Sequence, residues 1–127
     1  MNRAAVLAAA ILAFAGAMAV RATPPPLQYV NDTAILSDGM PRLLSDYGFF
    51  DDLGGQVPVP HVYPYRLNTP LYSDGADKLR FVYRAAGTEF RADGEGLIDM
   101  PVGAALIKTF AFGEGAKRRL IETRVLL

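Results

Sequence analysis

The sequence predicts a small, mainly β domain, either sandwich-like or a partly open antiparallel sheet, with one short helix. Two features point there. Several short runs alternate apolar and polar side chains with the period of a strand, as in Leu79-Arg80-Phe81-Val82-Tyr83-Arg84. Clusters of Gly, Pro, Ser and Asp separate these runs, densest between Tyr65 and Phe112.

The chain of 127 residues divides into a signal peptide (1–22), a proline-rich lead (23–39) and the domain (40–127). Met1-Asn2-Arg3 is a short positive segment, and the apolar run from Ala4 to Ala15 is too short to span a bilayer comfortably, as in a secretory signal. Cleavage after Ala22 would start the mature chain at Thr23-Pro24-Pro25-Pro26, in the periplasm or outside the cell. No stable membrane insertion is expected after cleavage. Removing Arg3 and Arg21 from 13 basic residues leaves 11 against 13 acidic ones, a net charge of −2. That balance provides no excess positive charge for nucleic acid or an anionic membrane. With no cysteine, the mature domain depends on packing, a metal or a neighbouring domain.

Three consecutive prolines deprive the lead of amide donors and give it polyproline character. From Asn31 to Asp38 no convincing period is visible. Met40 to Tyr47 can form one or two helical turns, capped by Ser37 or Asp38 and stopped by Gly48, with Leu43, Leu44 and Tyr47 on one apolar face. Phe49 and Phe50 follow as core anchors. Asp51 to Tyr65 is a loop or edge, since Pro58, Pro60 and Pro64 cannot donate to a sheet ladder. Beyond the turn at Ser73-Asp74-Gly75, the run from Leu79 to Arg84 buries Leu79, Phe81 and Tyr83.

Short strands are expected at Glu89-Phe90-Arg91 and Leu97 to Met100, around the reversal Asp93-Gly94-Glu95-Gly96. Ala104 to Phe112 is the strongest strand, apolar on both faces as in a central or doubly covered position. Leu120 to Leu127 is the last. It ends on two leucines without a turn or polar tail, so the domain is expected to be truncated at its C-terminus.

The ordered set Leu44-Ser45-Asp46-Tyr47-Gly48-Phe49-Phe50, Tyr65 to Asp74 with Lys78 and Arg80-Phe81-Val82, Met100-Pro101-Val102-Gly103 with Ile107-Lys108-Thr109-Phe110, and Glu122 to Leu126 resembles a poorly characterised family of exported bacterial proteins. Some longer members join such a region to a cytochrome c-like domain. The resemblance implies the N-terminal part of a larger exported protein with a link to electron transfer. It brings no catalytic residue, and no cofactor is expected, because a C-x-x-C-H haem signal is absent.

Two functions follow as expectations. One is a noncatalytic accessory or interaction domain, whose partner is a C-terminal domain or another exported protein and whose sheet is exposed near Leu120 to Leu127. The basic run Lys117-Arg118-Arg119 is its candidate partner-binding patch, or else an edge guarded against aggregation. The other is a periplasmic carbohydrate or small-ligand module, with Tyr63, Tyr65, Tyr72 and Asp74 lining a concave site and Asp77 and Lys78 beside it. No catalytic or metal site is assigned. Asp93, Glu95 and Asp99 lack the order of a calcium loop, and His61 has no partner ligand or nucleophile motif.

Overall fold

A computed structural model describes residues 29–127, so the expected signal peptide and the proline run lie outside the described residues. One short helix, α1 (Asp32–Leu36), precedes eight strands: β1 (Phe50–Asp52), β2 (Val57–Pro58), β3 (Val62–Pro64), β4 (Asp77–Tyr83), β5 (Arg91–Ala92), β6 (Ile98–Asp99), β7 (Ala105–Phe112) and β8 (Arg119–Leu126). All pairings are antiparallel. The main sheet has the order β3-β4-β7-β8, while β1-β2 and β5-β6 are separate two-stranded ribbons. The domain is thus mainly β and open.

The ladder from Asp77↔Ala111 to Tyr83↔Ala105 forms the centre of the sheet. Its alternation puts Phe81, Tyr83, Ala105, Ile107, Thr109 and Ala111 on a buried face. That face is covered by α1, by a 3₁₀ turn at Leu44–Tyr47 and by the segment leading into β1-β2. The resulting core contains Ile35, Tyr47, Phe49, Phe50, Val59 and Val62. Phe49 stacks on Tyr47 with centroids 5.2 Å apart, and Phe50 meets Phe81 edge-on at 5.0 Å. Thr109 is fully buried, but its hydroxyl bonds that of Thr123, its cross-strand neighbour, at 2.9 Å.

Three expectations need correction. The segment from Asn31 to Asp38 is not merely a lead to the domain. Asn31 caps α1 by accepting the Ala34 N–H at 3.2 Å, and Ile35 is buried in the core, so the folded unit begins before residue 40. The helical segment at Met40 to Tyr47 shrinks to the Leu44–Tyr47 turn. Neither Ser37 nor Asp38 caps it: the Ser37 hydroxyl donates to the carbonyls of Ala34 and Gly39, and the Asp46 carboxylate accepts the Leu43 N–H at 3.0 Å. Leu43 is exposed, unlike Tyr47. The Asp51 to Tyr65 segment is a loop and edge as expected: β3 forms the sheet edge and the short β2 returns against β1, an arrangement that tolerates its prolines. Finally, β7 is covered on one face only, for Phe112 is exposed and Leu106 and Phe110 are half-buried.

The Tyr83 hydroxyl links the covering layer to the sheet by donating to the Asp32 carboxylate at 2.6 Å. Burial, together with the Asp32 hydrogen bond and charge, pushes the phenol from its ordinary value of 10.0 up to about 12. A raised folded-state value means that this contribution to stability is complete below the unfolded-state value and fades as pH rises through the folded one. The stability of the wild type relative to Tyr83→Phe is therefore expected to be constant up to about pH 9, to decline between about pH 10 and 12, and to level off above that. Urea midpoints of both proteins across this range measure it. Any other group titrating there contributes to both proteins, so the difference isolates the phenol.

Candidate functional site

The face of the sheet opposite the core is only partly covered. The segment 65–76 folds over it, turning at Ser73–Ala76, where Asp74 (φ 47°) and Gly75 (φ 78°) precede an Ala76 N–H that donates to the Ser73 carbonyl at 2.7 Å. Beneath this segment lies a groove of about 350 Å³ that brings together Tyr65, Tyr72, Lys78, Arg80, Leu106 and Lys108. A neighbouring cavity of about 400 Å³ shares Lys78 and Arg80 and adds Arg66, Asp77 and Arg118.

Three of the six candidate ligand residues, Tyr65, Tyr72 and Lys78, therefore meet in one groove. Asp77 lines the neighbouring cavity and lies 4.0 Å from the Arg118 guanidinium. Asp74 occupies the exposed apex of the turn, and Tyr63 stands half-exposed on β3 opposite Val82; neither lines the groove. Lys117 ends a 3₁₀ turn at Gly115–Lys117, and with Arg118 and Arg119 it is exposed at the start of β8.

Arg80 and Lys108 complete the groove and were absent from the sequence expectations. Lys78 and Arg80 are two residues apart on β4 and so project to the same face, a relation visible in the chain itself. Lys108 joins them only through the register that places it opposite Arg80.

The open face is strongly cationic. Lys108 lies opposite Arg80 on one side and Arg124 on the other, so three like charges face one another across β4, β7 and β8. Glu122 forms a two-pronged ion pair with Arg124, at 2.6 Å and 3.0 Å. The Arg124 hydrogen bond holds the Glu122 carboxyl below its usual range, and the pair raises Arg124 in turn. Lys108 and Arg124 also approach the Phe110 ring, at 4.7 Å and 4.9 Å from its centroid. Lys78 is lowered by burial first and then by the charges of Arg80 and Lys108.

Elsewhere the candidate residues have structural duties. Asp93 accepts the N–H groups of Glu95 and Leu97, at 2.8 Å and 3.1 Å, within the β5-β6 turn. Exposed His61 takes a positive φ of 70° at the corner between Pro60 and Val62, and its carbonyl accepts the Arg84 N–H. Among the described residues no cluster of three or more His, Cys, Asp or Glu could hold a metal ion, and no helix is long and apolar enough to cross a membrane.

A second surface adjoins the groove. β8 pairs with β7 on one side and, among the described residues, has no strand on the other. At its C-terminal end lies an apolar cavity of about 530 Å³, lined by Leu36, Met100, Val102, Leu106, Leu126 and Leu127. Val102 is 88% exposed, and Leu36, Leu126 and Leu127 are each more than half exposed. The first half of β8 is protected differently: a bulge between the Phe110 and Ala111 pairings leaves Ile121 without a direct partner, and Arg119 and Glu122 flank it in the chain.

The chain matches no family model, no curated protein and no solved structure.

Proposed function

We propose that this chain is a noncatalytic interaction domain of an exported protein, receiving an extended apolar segment of a partner polypeptide along the free edge of β8. The observation that carries this reading is the unpaired second half of that strand beside the apolar cavity. An open edge offers backbone donors and acceptors for strand addition, and adjacent pockets take alternate side chains. The bulge and charges restrict such pairing to the segment from Thr123 to Leu126, which gives the edge a preferred register. The partner class implied by the motif resemblance is a cytochrome c-like domain or another exported protein.

Photo-crosslinking in cells that export the chain tests this. A photoreactive residue at Leu126 is expected to give one discrete adduct, which is lost when Val102→Lys places a charge in the adjoining cavity. The same residue at Lys117 is expected to give none. No adduct from position 126, or equal labelling from both positions, would contradict the reading.

A further inference from the structure

We infer that the groove between the 65–76 segment and the open face of the sheet binds a small amphipathic organic anion, its carboxylate or phosphate head held by Lys78, Arg80 and Lys108 and its apolar body lying against Tyr65, Tyr72 and Leu106. This goes beyond the strand-docking role and rests on an adjoining groove that shares Leu106 and Leu126 with the docking cavity.

The charge arrangement is the first reason. Like charges directly opposite in a sheet destabilise it, yet Arg80, Lys108 and Arg124 form such a row. Glu122 pairs with Arg124 and lies near enough to Lys108 to feel its charge. Among the described residues the ion pairs are Arg124 with Glu122 and Arg118 with Asp77, which leaves Lys78, Arg80 and Lys108 without a carboxylate. Lys78 instead donates to the Leu71 carbonyl, and Arg80 to the Lys78 carbonyl at 3.2 Å. Those bonds hold the cationic heads at the groove without neutralising them. An anion seated among the three would replace that repulsion with attraction.

The shape of the site is the second reason. A groove of about 350 Å³ fits a small molecule, and Leu67, Leu71 and Leu126 extend its apolar walls. A neutral sugar would leave the three cations uncompensated. An extended polyanion would meet Glu122 beside Arg124.

Nuclear magnetic resonance titration of the isotopically labelled chain tests the proposal, with octanoate, octan-1-ol, inorganic phosphate and phosphatidylglycerol vesicles as probes. Octanoate is expected to give saturable shifts at the amides of Lys78, Arg80 and Lys108, at least about tenfold tighter than octan-1-ol or inorganic phosphate. Line broadening of the same amides by the vesicles would identify a lipid headgroup as the source of the anion. Shifts from octanoate without vesicle binding would identify a free acid. Lys108→Glu should weaken octanoate binding by at least about tenfold while raising the melting temperature, because it turns a row of like charges into an alternating one. Lys78→Gln, which leaves the row intact, should weaken binding as well. Absence of saturable shifts, equal affinity for octan-1-ol, or unchanged octanoate binding in both variants would overturn the proposal.

Discussion

Phe49→Ala is expected to destabilise the domain by about 3–5 kcal/mol, the usual loss when a buried Phe is truncated. Phe49 is 1% exposed and lies where the covering layer meets the sheet. Its ring stacks on Tyr47 and tilts against Tyr83 with centroids 6.2 Å apart, so truncation separates a 3₁₀ turn from a central strand. Small domains are stable by only about 5–15 kcal/mol, so the variant should be substantially unfolded in moderate urea. Phe112→Ala is the control, since that ring is 44% exposed and a surface truncation changes stability by about 1 kcal/mol or less. Urea unfolding followed by circular dichroism measures both, and equal losses would show that the Phe49 contacts do not hold the layers together.

Phe81 and Tyr83 were legible as core residues because a strand with one buried face has a period of two, and β4 keeps that period from Arg80 to Tyr83, although Leu79 is only half-buried. The long β7 strand was legible for the same reason, although its composition pointed to two buried faces. Phe112 and Phe110 are apolar in sequence, but the first is partly exposed and two cations lie near the second. α1 was not legible. It is five residues long and buries only Ile35, and tertiary bonds hold it in place: the Asn31 N–H and side-chain amide donate to the Tyr47 and Asp46 carbonyls, at 2.8 Å and 3.1 Å. No local period can encode such a contact.

The groove divides along the same line. Tyr65, Tyr72 and Lys78 lie close in the chain and could be grouped by inspection, whereas Lys108 required the β4-β7 register. The net charge of the whole chain concealed a sheet face on which four basic side chains stand against one acidic one. Asp74 and Tyr63 illustrate the converse error. Nearness in sequence put them with the groove residues, but a left-handed turn places Asp74 at the apex, and Tyr63 pairs with Val82, beyond Arg80 along β4.

Gly48→Ala is expected to remove about 2–4 kcal/mol, comparable to the loss of a core side chain although only one methyl group is added. Two effects combine. Gly48 has a φ of 70°, a left-handed conformation that an alanine adopts at a penalty of roughly 1–2 kcal/mol. Its Cβ would also lie 2.6 Å from the Tyr29 carbonyl oxygen, a backbone atom that cannot rotate away. Relief requires moving residues 29–31, but the Asn31 N–H is bonded to the Tyr47 carbonyl and α1 follows at once, carrying Ile35 into the core. Gly75→Ala separates the two effects, since it has a φ of 78° and no atom within 4 Å of its Cβ position. Its loss should match the conformational part alone, at about 1 kcal/mol. If urea midpoints give equal losses for the two variants, the close approach at Tyr29 adds nothing. A larger loss at Gly48, accompanied by faster amide exchange in Asp32–Leu36 and unchanged exchange in β4 and β7, would show that the strap at the N-terminal end of the domain is clamped by the absence of one side chain.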